Sequence, residues 1–422
     1  MWRIAAPMIL SNISVPLLGM VDTGVTGHLE SSAYLGAVAI GSTIFTFLYM
    51  GMNFLRMGTT GIAAQSYGAG DNDGLRVSLG QALIVSLAIA VLILLLQVPI
   101  GRAAIALLGG DQETQLHAAT YFSIRVWSAP GTLANYALIG WFLGLQNARI
   151  PLLIFLTINI INIVLDLLFV VVFGMKVDGV ALASVIAEYS GLLVGATFAI
   201  DALRSRRGHW PLARLTNLSA YKAFFSVNAS LFVRSMALMF AFAWVTAQGA
   251  RLGPAILAAN AVLMNFQNLT ALGLDGIAHA AEAMVGKAVG RKDKAALQHT
   301  VSLTLKWSLL FAAGFTVLYL VAGPLIVRIL TDLPDVRTTA MVYLPWLVAS
   351  PLISVWCFLY DGVYVGMTRA REMRNIMVLS TFGVFLPAWY LTQPFGNHGL
   401  WFALLLFLAS RGIGMHVGYK RF

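Results

Sequence analysis

Long apolar stretches separated by short polar ones run through almost the whole chain. Windows such as Gln81 to Ile100, Pro151 to Phe173 and Leu309 to Leu330 hold almost no charge. Each is long enough to cross about 30 Å of hydrocarbon as a helix. The pattern predicts twelve such spans, at 4–27, 33–66, 77–99, 119–145, 150–174, 178–202, 222–249, 255–286, 296–322, 338–366, 373–393 and 398–419. Shorter, strictly alternating segments, which a membrane barrel needs, are absent from the sequence.

The same pattern is told twice. Tyr67-Gly68 with Asp71 answers to Val289-Gly290 with Asp293 (290 − 68 = 222). Gly144-Leu145 with Ala148-Arg149 answers to Gly366-Met367 with Ala370-Arg371, and Phe173-Gly174 to Phe395-Gly396, at that same offset. One offset shared by three sites is hard to obtain by chance. A duplicated half in so apolar a chain points to a transporter, because alternating access needs two bundles that rock against each other. The polar stretch from Asp201 to Lys222 falls midway, with six spans on either side. The expected fold is therefore an all-α membrane protein of twelve transmembrane helices in two pseudo-symmetric six-helix bundles. Its lobes are placed at 1–202 and 222–422, with a cytoplasmic connector at 203–221. An even number of spans per half gives both copies one orientation.

Composition sharpens this. With 59% hydrophobic and 10% charged residues, the chain falls well below the roughly 25% charge of a soluble domain. The +10 net charge sits mainly in alternate loops, at Arg76, Arg149, Arg204, Arg206, Arg207, Arg214, Lys287, Arg291, Lys292, Lys294, Arg369, Arg371 and Arg374. Positive loops mark the cytoplasmic side, so both termini are expected there and no nucleic-acid partner is implied. The first span is expected to act as its own insertion signal; the sequence opens almost directly on it, so a short polar N-terminal tail is expected to be missing here. A single cysteine, Cys357, leaves neither a disulfide frame nor a cysteine metal site.

Six acids fall within spans: Asp22, Asp166, Glu188, Asp275, Glu282 and Asp361. A charge at mid-membrane costs about 3 kcal/mol or more, so each needs an interior place and a reason. Burial raises a carboxylate's pKa, which suits a proton carrier. At the 222 offset, Asp22 falls opposite Trp244, Asp166 opposite Ala388, Asp275 opposite Asn53 and Asp361 opposite Ile139. The acids are not duplicated, so the two lobes are expected to have different tasks.

Asn159, Asn162 and Asp166 share one helical face at i, i+3, i+7. Ser184 and Glu188 form a shorter polar stripe on the next span. Asp22 is flanked by Gly19 and Gly24, with Arg56 and Arg125 as the intramembrane cations able to pair with it. Pro7 and Pro16 interrupt the same first span and make it a candidate hinge. In the second half Asp275, His279 and Glu282 sit at i, i+4, i+7; without HExxH order they suit a polar path or network better than a metal. Asp361 is able to hold a cation or stabilise a cavity. Met50, Met52, Met57, Met236, Met239 and Met264 are candidates for an adaptable apolar wall. No catalytic set and no cofactor is implied.

Taken together, Pro7 to Asp22 with Val-Asp22-Thr-Gly-Val-Thr-Gly-His28, Asn162-Ile-Val-Leu-Asp166, Leu-Asp275-Gly and Glu282-Ala resemble the multidrug and toxic compound extrusion (MATE) exporters, in their DinF-like branch. The resemblance covers essentially the whole chain. It implies a V-shaped pair of lobes exporting organic cations in exchange for protons or sodium ions. By that resemblance Asp22 is the proton-binding acid, Pro7 its bend point, and Asn162, Asp166 and Ser184 its partners; Asp361 corresponds to the acids of sodium-coupled relatives. The expected protein is thus a proton-coupled exporter of hydrophobic organic cations or other xenobiotics. It is placed as a monomer in the bilayer of a bacterial inner membrane. A sodium-coupled exporter and a lipid or oligosaccharide flippase remain as alternatives, with an intramembrane enzyme further off.

Overall fold

The structure, a computed structural model, describes residues 1–27 and 31–421; within these, the side chains of 15–20, 22, 23, 26, 27 and 32 lie outside the description. Almost everything described is helical. The first half contributes α1 (Trp2–Gly27), α2 (Ser32–Met52), α3 (Phe54–Ala69), α4 (Asn72–Leu95), α5 (Gln97–Leu108), α6 (Gln112–Arg125), α7 (Ala129–Gly144), α8 (Arg149–Asp166), α9 (Val177–Arg204) and α10 (Leu212–Thr216). The second contributes α11 (Lys222–Arg251), α12 (Pro254–Gly290), α13 (Lys294–Leu330), α14 (Pro334–Gly366), α15 (Ala370–Val378), α16 (Leu386–Thr392) and α17 (Asn397–Tyr419). Among the described residues, ten helical stretches are long and apolar enough to cross a bilayer. The α1 helix and the run from α6 through a short 3-10 turn into α7 complete the twelve.

Two compact units emerge, residues 6–224 and residues 225–422 joined by 1–5. In the first, α7 packs on α3, α4 and α9, and α8 lies along α9; in the second, α14 packs on α12, α13 and α17. Large apolar side chains such as Leu95, Leu107, Leu193, Leu320 and Val321 point outward. An apolar exterior is what a hydrocarbon solvent demands of a helical bundle.

Duplication is written into the backbone. The stretch α2–α3 runs from 32 to 69 and α12 begins at 254 (254 − 32 = 222); α4–α5 runs from 72 to 108 and α13 from 294 to 330 (294 − 72 = 222). The α6–α7 stretch spans 112 to 144 and α14 spans 334 to 366 (334 − 112 = 222). Each first-half helix is interrupted where its counterpart is continuous, at Asn53, at Leu96 and at 126–128. The sequence reading placed a loop after residue 99; α5 occupies it instead.

Helix ends repeat as well. Asp71 and Asp293 cap α4 and α13 by accepting from the backbone N–H groups of Gly74 and Ala296, at 2.8 and 2.9 Å. Such a cap satisfies one of the donors left open at a helix start. After α7, Gln146 takes φ 60°, its N–H bonding Leu143 while the N–H of Asn147 bonds Phe142; after α14, Thr368 at φ 55° and Arg369 repeat the pair with Val365 and Tyr364. This double bond is the Schellman closure of a helix.

A close helix–helix approach also occurs twice. A side-chain carbon on Gly140 would strike the carbonyl oxygen of Arg56, and one on Gly362 would strike that of Ala278 (278 − 56 = 222). One turn on, a carbon on Gly144 would come 3.0 Å from the Thr60 oxygen, and one on Gly366 2.6 Å from the Glu282 oxygen. Small residues four apart let two helices touch backbone to backbone.

Candidate functional site

In the first unit the predicted polar stripe is a buried layer joining α8 to α9. The Asn162 Nδ2 donates to Ser184 Oγ at 3.2 Å, and both residues are buried. Asp166 is fully buried at the end of α8, where the helix loosens into a π-helical turn over Leu167–Val172. Asn159 is buried one turn before Asn162. A wide π-helical turn leaves backbone carbonyls less regularly matched, which is why such turns recur at functional positions.

Glu188 sits one turn beyond Ser184 and faces another set of partners. Asn135, on α7, donates through Nδ2 to the Glu188 carboxylate at 3.0 Å and to its backbone carbonyl at 2.9 Å. Arg125, on α6, lies 3.9 Å from the same carboxylate, with its guanidinium 5.6 Å from the centre of the Phe45 ring. Arg56 donates through Nε to Asn53 at 3.1 Å.

The α1 helix runs through Pro7, whose carbonyl accepts from the Ser11 hydroxyl at 2.9 Å. Asp22 and Pro16 belong to α1, but their side chains lie outside the described residues, as does His28 altogether. The division between units falls between Ala5 and Ala6, beside Pro7.

In the second unit the centre is Asp361 on α14. Its Oδ2 accepts from Arg234 on α11 and, at 2.9 Å, from Arg411 on α17. Arg411 also lies 5.3 Å from the centre of the Phe407 ring. Asp275, His279 and Glu282 line α12, Glu282 and His279 buried and Asp275 half-buried. Asp275 acts electrostatically on Arg411. Among the described residues, no three His, Cys, Asp or Glu side chains converge as a metal site.

Arg234 and Arg411 are what the sequence reading missed. Sequence alone points to Arg56 and Arg125 as the intramembrane cations. Both arginines stand within predicted apolar spans, in Phe-Val-Arg234-Ser and Ala-Ser-Arg411-Gly. The signal was there for a scan that weighed buried cations as it weighed buried acids. Arg76, read as a loop charge, is also buried: it donates to the carbonyls of Leu203 and Arg206 at 2.9 and 2.8 Å and ties the connector to α4.

Twelve apolar helices, a doubled backbone and charged clusters inside each unit define a multi-pass membrane transporter. The MatE family model matches the chain twice, over residues 7–168 and 230–391 (230 − 7 = 223), so this protein belongs to the MatE family, whose members are transporters and not enzymes. The chain is 43% identical to DNA damage-inducible protein F of Escherichia coli (strain K12), over 100% of this chain and 92% of that one. It is 23% identical to a probable multidrug resistance protein NorM of Thermotoga maritima, over 79% of this chain and 72% of the relative. A solved MATE structure in the bent conformation overlays with TM-score 0.91 at 18% identity, covering 99% of this chain and 94% of that one.

Proposed function

We propose that this protein is a secondary antiporter that exports hydrophobic organic cations and related xenobiotics in exchange for protons, with Asp22 and Asp166 as the coupling acids. The observation that carries the choice of ion is the state of Asp361. A carboxylate that exchanges a sodium ion must be free of competing cations, whereas the Asp361 Oδ2 already accepts from two buried guanidinium groups whose charge opposes a further cation. That arrangement favours the first lobe as the coupling lobe. There Asp166 lies fully buried one turn from the Asn162–Ser184 bond.

In the cycle, a proton reaches the first lobe from outside. Neutralising a carboxylate removes its attraction for a bound cation and rearranges its hydrogen bonds. The first helix then bends near Pro7, narrowing the pocket and expelling the substrate. Proline suits that position because it removes a helix hydrogen bond. Loss of the proton to the cytoplasm restores the receptive state. One pH unit is worth about 1.4 kcal/mol, enough for roughly tenfold accumulation per proton. The proposed setting is a bacterial inner membrane, with a monomer whose termini are cytoplasmic.

Proteoliposomes test this reading. Export driven by a pH gradient alone, and lost in Asp22→Asn and Asp166→Asn, is the expected result. Export driven by a sodium gradient alone would replace the coupling ion, and unimpaired proton-driven export by both variants would remove the mechanism.

A further inference from the structure

We propose that Arg234 and Arg411 form a binding site for the carboxylate of an organic anion within the second lobe. A guanidinium presents its Nε–H and one Nη–H along a single edge, the fork that a carboxylate fills with both oxygens. Here both arginines spend an Nη2–H on one oxygen, Oδ2 of Asp361. The Nε of Arg234, the Nε of Arg411 and Oδ1 of Asp361 are all buried without a hydrogen-bond partner. Both arginine side chains are more than nine-tenths buried, at 9% and 5% exposure.

Both forks therefore share one oxygen of Asp361. Should Asp361 rotate to bond one arginine through both oxygens, the second fork would still lack an acceptor. Each buried donor left unmade costs about 1–3 kcal/mol, more when charged. Asp275 acts electrostatically on Arg411, yet the Arg411 Nε remains without an acceptor. What the two Nε–H groups lack is an acceptor, and an incoming carboxylate supplies two oxygens in the plane the fork requires. The Phe407 ring beside Arg411 adds an apolar wall against which the body of an aromatic acid can pack. This site goes beyond cation export and does not depend on which ion drives the cycle.

The test is equilibrium binding to the purified full-length protein in detergent, at one pH and with no gradient, using benzoate and its neutral isostere benzamide. Benzoate is expected to bind at least about tenfold more tightly than benzamide, the scale of a charge-assisted pair. Arg411→Lys keeps the charge but loses the fork, and is expected to lower benzoate affinity about tenfold. In Asp361→Asn both guanidiniums lose their anion, so benzoate should raise the melting temperature of that variant more than that of the wild type. Equal binding of the two probes to the wild type, no binding of either, or unchanged benzoate affinity in a folded Arg411→Lys overturns the proposal. The wild-type comparison decides the matter even where a variant does not fold. Because no transport is measured, a negative result leaves the proton-coupling reading to its own test.

Discussion

The two lobes are built on one backbone and filled with different chemistry. Gly140 against Arg56 and Gly362 against Ala278 are the same helix crossing made twice. Around those crossings the charges diverge. The first lobe holds Glu188 at 3.9 Å from one arginine, with an asparagine donating to it; the second locks Asp361 between two arginines. Backbone contacts set where helices meet, and a carbonyl oxygen tolerates no side chain at the meeting point in either copy. Side chains one turn away are free to differ. Duplication thus supplied two similar frames, and only their contents assign separate tasks.

The largest difference should appear on deleting each lobe's central acid. Asp361→Ala removes the carboxylate that two buried guanidiniums share, a loss of about 3–5 kcal/mol. Glu188→Ala leaves Arg125 against Phe45 and frees Asn135, a loss of about 1–3 kcal/mol. Thermal melts of the detergent-solubilised variants measure both, and equal losses would erase the contrast. Gly140→Val and Gly362→Val probe the shared frame: each should destabilise by about 1–3 kcal/mol or more, by a similar amount in both lobes. A large effect in one alone would mean that the crossings are not equivalent. Ser184→Ala removes one partner of Asn162 and should lower stability by about 0.5–1.5 kcal/mol, while slowing proton-driven export more than it lowers the melting point.

The smallest effect concerns a helix cap. Asp111 caps α6 by accepting from the Thr114 N–H at 2.9 Å, and its bonds to Thr114 hold its carboxyl below the usual carboxylate range. Its counterpart, Leu333 before α14, makes no such bond. Because the folded-state pKa is depressed, the cap's contribution is present above the ordinary carboxylate pKa and lost as pH falls through the lowered one. Asp111→Asn should therefore melt slightly below the wild type near neutrality, the gap closing in acid. A gap independent of pH would contradict the assignment.

Much of the frame was legible in the sequence. Hydropathy marks the helices because each must satisfy its own backbone in lipid, and the repeated Gly-Leu/Gly-Met and Phe-Gly endings mark closures that need unusual φ values. The breaks at Asn53, Leu96 and 126–128 were not legible, since their continuous counterparts contain Asp275 and Pro351 and show no stronger helix signal. In the candidate site, the α8 face of Asn159, Asn162 and Asp166 follows from helical spacing alone. The partners of Glu188 and Asp361 do not. Arg125 is 63 residues from Glu188 (188 − 125 = 63), and Arg234 is 127 from Asp361 (361 − 234 = 127). Pairing over such separations is a property of packing that no local pattern encodes.

The central claim is that proton coupling belongs to the first lobe and that Asp361 is held by internal cations. Initial rates of pH-driven export of a fluorescent organic cation, compared for Asp166→Asn and Arg411→Lys reconstituted at equal amounts, test it most directly. The account expects Asp166→Asn to lose about tenfold or more of the gradient-driven rate, the coupling worth of one pH unit, while Arg411→Lys keeps its dependence on the pH gradient. Gradient-driven export surviving in Asp166→Asn and lost in Arg411→Lys would place coupling in the other lobe and contradict it.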